Sequence, residues 1–261
     1  MGKLAKATEI MYHTGLSRKM LKGARFALLP GDPGRVESIA EGVGQCERLA
    51  VHREYTSYLS YLKDEPVLVC STGMGGPSVA ICMEELARIG ITHFIRVGTT
   101  GSIQDKIELG DLIVVKGAVR LEGTSTHYAP INFPAIATLK VTNALAAAAE
   151  KKKYRYHIGI CISSDTFWPG QERYDSFTGY VPKAFRGTLQ EWQQLGATNY
   201  EMEAATLFIV AQSFGLSAGC ICVAVAKRTD SEKVASQTIY MGALPKMIST
   251  VKEALLMLID K

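Results

Sequence analysis

Phe26-Ala27-Leu28-Leu29-Pro30-Gly31-Asp32-Pro33-Gly34-Arg35 is an apolar run that passes directly into a segment rich in glycine and proline. This pattern predicts a buried β-strand that turns sharply into a helix. Pro33 suits the first helical turn, where its missing N–H needs no partner. A helix start offers backbone N–H groups to an anion, and Arg35 adds a forked cationic donor. The segment predicts either a phosphate-binding turn or a plain structural bend with a solvated arginine.

Similar apolar runs recur along the chain and alternate with helical patterns. We predict strands at 26–29, 52–62, 67–70, 94–97, 111–115, 157–162 and 218–226, and helices at 36–42, 77–89, 135–152, 203–214 and 247–259. Strands that alternate with helices indicate an α/β fold with a largely parallel or mixed sheet. Since no linker, repeat or low-complexity stretch interrupts the pattern, we expect one domain, 1–261.

The composition narrows the class of protein. The 261 residues are 47% hydrophobic and 21% charged, which is ordinary for a globular protein. A net charge of +4 is too small to argue for a nucleic-acid partner. The six cysteines form no C-x-x-C pair, and the apolar runs are shorter than a membrane span. We therefore expect a cytoplasmic protein with reduced cysteines and no membrane or nucleic-acid partner.

The turn at Gly73-Met74-Gly75-Gly76-Pro77-Ser78 superficially resembles a dinucleotide-binding turn. That interpretation needs an acidic residue at the end of the next strand, to hold a ribose hydroxyl. The next strand ends instead in Arg96-Val97-Gly98-Thr99-Thr100-Gly101, which suits an anion better. Dinucleotide binding is therefore disfavoured.

Arginines and hydroxyls gather where the predicted strands end. Gly31, Arg35, Arg96 and Thr99 should meet at one edge of the sheet, while Arg53 either joins them or pairs with an acid such as Glu54. Guanidinium groups, a hydroxyl and glycine N–H groups suit an ionised phosphate. There is no Walker-type sequence and no carboxylate cluster that suggests Mg²⁺, so we expect phosphate to be a reactant.

Two further segments could hold an organic substrate. Glu203, in the first turn of an apolar helix, could accept hydrogen bonds from a sugar diol, with Met202 on the ring face. Alternatively, Glu203 only starts the helix and Met202 fills the core. Gln171 and Arg173 present an amide and a guanidinium, which would match the edge of a pyrimidine-dione base. The irregular segment 166–187 around them is either a flap over the ligand or an oligomer contact.

Six segments in this order and spacing closely resemble the bacterial uridine phosphorylase family of the nucleoside phosphorylase-I superfamily. They are PGDPGR (30–35), HRE (52–54), CSTGMGGPS (70–78), RVGTTG (96–101), SSDTFWPGQERYD (163–175) and NYEMEAAT (199–206). The resemblance implies a three-layer α/β/α fold with a mixed sheet, and a hexamer built from three dimers with shared active sites. It also implies reversible phosphorolysis of uridine to uracil and ribose 1-phosphate in pyrimidine salvage, with no cofactor beyond phosphate as co-substrate.

The resemblance also assigns roles residue by residue. Phosphate would be held by Gly31, Arg35, Arg96, Thr99 and the dimer partner's Arg53. The nucleoside would be held by Thr100, Gly101, Phe167, Gln171, Arg173, Glu201, Met202, Glu203 and a neighbouring subunit's His13. The catalytic groups would be Arg173, Glu203, Arg96 and Arg228, and Glu54, Met74 and Ser78 would bind a monovalent cation such as K⁺ at the dimer interface.

Two competing functions follow from the same residues. A purine or broad-specificity nucleoside phosphorylase would commonly place an aspartate where Arg228 stands, although Asp230 lies close by. A nucleosidase should lack the phosphate arginines, and a non-catalytic nucleoside-binding protein should have lost Glu203, Arg173 or one of those arginines. Trp168 and Lys227 depart from the Tyr and Asn frequent in the family, which leaves the acceptance of other bases and of deoxyribose open.

Overall fold

The computed structural model describes residues 2–229, 231, 234 and 237–259, with a mixed β-sheet at the centre. The strands are β1 (Phe26–Leu29), β2 (Gln45–His52), β3 (Tyr55–Leu62), β4 (Glu65–Cys70), β5 (His93–Ser102), β6 (Leu112–Leu121), β7 (Ala135–Ile136), β8 (Tyr156–Ser164), β9 (Asn199–Glu201) and β10 (Ser217–Lys227). The helices are α1 (Val36–Val43), α2 (Gly76–Arg88), α3 (Leu139–Lys151), α4 (Thr188–Gln194), α5 (Ala204–Phe214) and α6 (Gln237–Ile259).

The sheet runs in the order β2-β3-β4-β1-β5-β9-β8-β6-β10, and β10 returns to pair with β5. The strands β5, β9, β8, β6 and β10 therefore close into a ring, and β4, β3 and β2 extend the sheet beyond β1. β1 lies parallel to both β4 and β5, so the carboxyl ends of these three strands meet at one edge.

Helices cover both faces of the sheet, which gives the predicted three-layer α/β/α fold. Strand β1 shows why: Ala27 and Leu29 pack on the side of α2 and α5, while Phe26 and Leu28 pack on the side of α1, α3 and α6. Successive strand residues point to opposite faces, so a strand that is buried on both sides is apolar throughout. The prediction of a mixed sheet between helical layers is confirmed.

Several predicted boundaries were wrong. The predicted strand 52–62 is the second half of a hairpin, because β2 ends at His52 and the chain reverses before Tyr55. The predicted helix 135–152 begins only at Leu139, since Ala135 and Ile136 pair with β6 as β7. The helix predicted to begin at Met247 begins ten residues earlier, at Gln237, and Pro245 lies inside it. Short apolar stretches do not distinguish a strand from a helix end.

Among the helices that the structure describes, none combines the length and apolarity needed to span a lipid bilayer. All six cysteines are free thiols; Cys46 is partly exposed, and the other five are buried.

Candidate active site

A cavity of about 790 Å³ opens at the carboxyl edge of β1, β4 and β5. Pockets of this size accommodate ligands of nucleoside dimensions. Its lining brings together most of the site residues predicted from the sequence: Gly31, Arg35, Glu54, Met74, Ser78, Arg96, Thr99, Thr100, Gly101, Phe167, Gln171, Arg173, Glu201, Met202 and Glu203. Three of the predicted residues, His13, Arg53 and Arg228, do not line it.

Gly31 and Arg96 lie close together in the part of the cavity that carries positive charge. A Cβ atom added to Gly31 would lie 3.1 Å from the carbonyl oxygen of Gly73 and 3.9 Å from Nη1 of Arg96. Arg96 is 6% exposed, and its Nη1 has no hydrogen-bond partner among the described residues. A buried guanidinium N–H without an acceptor is costly, so an anion beside Gly31 would satisfy it. Arg35 and Thr99 line the same end.

The turn after β1 differs in one respect from the sequence prediction. Pro33 begins a short 3₁₀ turn ahead of α1, as expected, but Asp32 caps that turn by accepting from the Gly34 N–H at 2.8 Å. Asp32 also contacts Nε of Arg35 at 3.3 Å. The Gly34 N–H is therefore already hydrogen-bonded, and binding of an anion here depends more on the guanidinium groups than on the helix start.

Arg96 bridges the anion end to two carboxylates. Its Nε lies 3.1 Å from Glu201 and its Nη2 contacts Glu203, and all three side chains are buried. Burial alone would lower the pKa of Arg96, but Glu203 and Glu201 raise it above its ordinary value, so the guanidinium stays charged. Burial, with help from Glu201, raises the pKa of Glu203 above 4.5 even though Arg96 opposes the shift.

The two carboxylates have different surroundings. Glu201 accepts from the backbone N–H groups of Glu203 and Ala204, both at 2.8 Å, and from the Ser163 hydroxyl. It thereby caps the start of α5 and orients Arg96. Glu203 accepts from the N–H groups of Gly75 at 2.7 Å and Met202 at 3.3 Å, which leaves it fewer contacts than Glu201 and makes it the carboxylate more available to a sugar diol.

At the other end of the cavity, an aromatic ring and an amide accompany a further guanidinium group. The Arg173 guanidinium lies 4.2 Å from the centre of the Phe167 ring, and Arg173 is 1% exposed. Gln171 is also buried, and both residues line the cavity with Thr100 and Gly101. The Thr100 hydroxyl donates to the Tyr200 carbonyl and accepts from the Asn199 amide, which fixes β9 against β5.

Arg228 contacts this end from behind the loop. Its Nη1 donates to the Gln171 carbonyl at 2.5 Å and its Nη2 to the Glu172 carbonyl at 3.2 Å. These contacts give Arg228 a positioning role on the loop that carries Gln171 and Arg173, and its expected catalytic role stays a prediction. Asp230, the acid whose proximity left purine chemistry open, lies outside the described residues.

His13 and Arg53 lie together on a neighbouring surface. Arg53 is exposed, has φ of 54°, and places its guanidinium 5.5 Å from the centre of the Tyr12 ring. Nδ1 of His13 is 2.7 Å from Glu85, which also accepts from the N–H groups of His13 and Thr14. Sequence reasoning missed Glu85, because more than seventy residues separate it from His13 and neither motif signals the other.

Glu54, Met74 and Ser78, the residues predicted to bind a monovalent cation, all line the cavity. The Ser78 hydroxyl donates to the Thr72 carbonyl at 2.5 Å and lies 3.4 Å from the Met74 carbonyl. Hard cations prefer such oxygen ligands. The described residues contain no group of three or more His, Cys, Asp or Glu side chains arranged to hold a metal.

A family model described as the phosphorylase superfamily matches residues 25–256, nearly the full length of the chain. The protein therefore belongs to the phosphorylase superfamily. The chain is 50% identical to uridine phosphorylase of Klebsiella aerogenes over 85% of its own length and 88% of that enzyme. It is 51% identical to uridine phosphorylase of Thermococcus kodakarensis over 80% and 75% of the two chains. A guanosine phosphorylase of Halorubrum lacusprofundi is 37% identical over 76% of each chain.

Proposed function

We propose that the protein catalyses the reversible phosphorolysis of uridine to uracil and ribose 1-phosphate. The observation that carries the proposal is one cavity with a buried, unsatisfied Arg96 N–H beside Gly31 at one end and Gln171 with Arg173 at the other. The first end suits phosphate and the second suits a pyrimidine-dione base. The uridine phosphorylases described above are about 50% identical to this chain over most of its length.

Phosphate is the nucleophile in this scheme. Arg35, Arg96 and Thr99 hold it below the anomeric carbon of the ribose, where its charge offsets the developing oxocarbenium character. Glu203 and Met202 hold the sugar, and Glu201 keeps Arg96 in place between them. The oriented reactants supply much of the rate, so the scheme needs no covalent enzyme intermediate.

Arg173 acts at the departing base. Cleavage of the N-glycosidic bond leaves negative charge on uracil, and a buried guanidinium stabilises that charge where it develops. Gln171 pairs with adjacent carbonyl and N–H groups of the base, Phe167 packs on the ring, and Thr100 with Gly101 lines the pocket.

His13 and Arg53 complete the site of a neighbouring subunit. Both lie outside the cavity of their own chain on an accessible surface, where a second copy could receive them. We infer a hexamer made of three dimers, with Arg53 reaching phosphate and His13 reaching the 5′-hydroxyl of the ribose. Glu54, Met74 and Ser78 would hold a K⁺ ion at the dimer interface through the oxygen atoms described above. The whole chain, 1–261, would act as a single domain in cytoplasmic pyrimidine salvage.

The substitution Arg173→Ala tests the assignment of the base end. We expect uridine turnover to fall by about 100-fold to 1000-fold, because one preorganised electrostatic donor is lost. Phosphate should bind almost as in the unsubstituted protein, since Arg173 lies at the far end of the cavity. Steady-state kinetics with uridine and phosphate varied independently would measure both effects. Equal loss of turnover and of phosphate affinity would contradict the assignment.

A further inference from the structure

Glu172 lies between Gln171 and Arg173 in the sequence but does not line the cavity with them. Its side chain points away from the cavity and is buried, and its backbone has φ of 52°. Non-glycine residues rarely adopt this left-handed conformation, so the surrounding contacts must hold it in place.

The Glu172 carboxylate meets the start of α4. It accepts from the N–H groups of Gly187 at 2.5 Å and Leu189 at 2.7 Å, and from the Thr188 hydroxyl at 3.5 Å. The Tyr174 hydroxyl adds a further contact at 3.1 Å. Burial and this hydrogen bond both raise the pKa of Tyr174, so its hydroxyl stays protonated as a donor.

The same loop is held from its other side. The Arg228 guanidinium donates to the Gln171 and Glu172 carbonyls, and the Arg173 N–H donates to the Trp168 carbonyl at 2.8 Å. Residues 171–173 are thus fixed through main-chain contacts on one side and the Glu172 carboxylate on the other. The side chains of Gln171 and Arg173, on either side of Glu172 in the sequence, line the cavity.

The simpler interpretation is that Glu172 only caps α4. However, a cap is normally supplied by a residue at the helix start itself, and here Gly187 stands at that position without a side chain. The carboxylate comes instead from a loop fifteen residues earlier, at a strained backbone position. The contact therefore constrains the loop at least as much as it does the helix.

We propose that Glu172 is a positioning residue, which fastens the base-reading loop to α4 and so sets how closely Gln171 and Arg173 meet the nucleobase. This inference rests on the proposed function. The physical reason is that an error of about 1 Å in the placement of a catalytic group can cost about 100-fold in rate.

The substitution Glu172→Gln tests it, since the side-chain amide replaces one acceptor by a donor that faces the N–H groups of α4. We expect kcat/KM for uridine to fall between about tenfold and about 100-fold, with the KM for phosphate nearly unchanged. In an Arg173→Ala background the same substitution should cost less than it does alone, because only its effect through Gln171 remains. An unchanged kcat/KM, or losses that multiply in the double variant, would overturn the proposal.

Asp111→Asn is the matched control. Asp111 is also a buried carboxylate that accepts a backbone N–H, that of Glu108 at 2.9 Å, but it lies outside the cavity. Its variant should lose stability without a selective change in uridine kinetics. If both variants lose kcat/KM equally per folded molecule, Glu172 has only a structural role.

Hydrogen–deuterium exchange separates this inference from the proposed function, because it needs no turnover. Glu172→Gln should speed exchange in peptides that cover 166–189 and leave those of β1 and α2 unchanged. Uniform or unchanged exchange would overturn the positioning role whether or not uridine is the substrate. If Glu172→Gln does not fold, Tyr174→Phe, which removes one donor at the exposed side, should shift exchange and kcat/KM in the same directions by a smaller factor.

Discussion

At the scale of single residues, Arg96 connects the two halves of the site. Its side chain contacts the carboxylates of Glu201 and Glu203, and its remaining N–H faces the space beside Gly31. Phosphate and ribose are therefore expected to meet around one guanidinium, which stays charged between two carboxylates.

Gly31→Ala tests the anion seat. The added Cβ would lie 3.1 Å from the Gly73 carbonyl and would occupy space beside Arg96, so we expect the KM for phosphate to rise about tenfold. Gly34→Ala is its control, because the three atoms nearest to the added Cβ there all belong to the Asp32 side chain. Steady-state kinetics at varied phosphate concentration would measure the KM for phosphate of both variants. Similar KM values for the two variants would contradict an anion site beside Gly31.

The site residues differ in how far the sequence could predict them. Gly31 follows shortly after the end of β1, and Arg96 in β5 pairs with Leu29, the last residue of β1, so both lie at the predicted edge of the sheet. The capping role of Asp32 and the positioning contacts of Arg228 depend on side-chain direction, which spacing does not encode. Glu85 and Glu172 were missed because their partners are backbone N–H groups brought close by the fold alone.

At the scale of elements, the strands that the sequence predicted best are those buried on both faces. β1 and the end of β4 are continuous apolar runs, whereas β7 and β9 are short and take their conformation from neighbouring strands. The predicted strand 52–62 joined the turn to β3 and left β2 unpredicted, because the turn at Arg53 contains no glycine or proline. Pairing with neighbouring strands, and not the local conformational preference of the sequence, determines where these strands form.

Glu85→Gln tests how α2 holds the segment that carries His13. Burial opposes ionisation of Glu85, but hydrogen bonds from His13 and Thr14 lower its pKa below the ordinary value of 4.5. The charged form is thus favoured in the folded state. The stability that it gives the folded protein is complete at pH values above the pKa of Glu85 in the unfolded chain. It is lost as the pH falls through the pKa of Glu85 in the folded protein.

We therefore expect Glu85→Gln to lower the free energy of unfolding by about 2 kcal/mol at pH 7, with a smaller difference near pH 4. Urea denaturation at fixed protein concentration would measure both values. Glu84→Gln, on the same helix with one contact to Tyr128 at 3.4 Å, should change little at either pH. If the difference in free energy of unfolding between Glu85→Gln and the unsubstituted protein grew toward low pH, this prediction would be contradicted.

At the scale of the whole molecule, the roles proposed for Arg53 and His13 require subunits that share active sites. Arg53 and Arg173 would then serve different cavities of a dimer, although they belong to one chain. Coexpression of Arg53→Ala with Arg173→Ala tests this, because a mixed dimer contains one site with both arginines intact. Random pairing should restore about one quarter of the unsubstituted activity per subunit. Activity no higher than that of the two separate variants would contradict shared sites.

The central claim is that phosphate is the nucleophile and uridine the substrate. The measurement that tests it most directly is a ³¹P NMR time course of the protein with uridine and inorganic phosphate, with uracil followed by ultraviolet absorbance. We expect ribose 1-phosphate to appear in step with uracil, and the omission of phosphate to stop uracil release. Uracil released without phosphate, or turnover of inosine or guanosine while uridine remains intact, would contradict it.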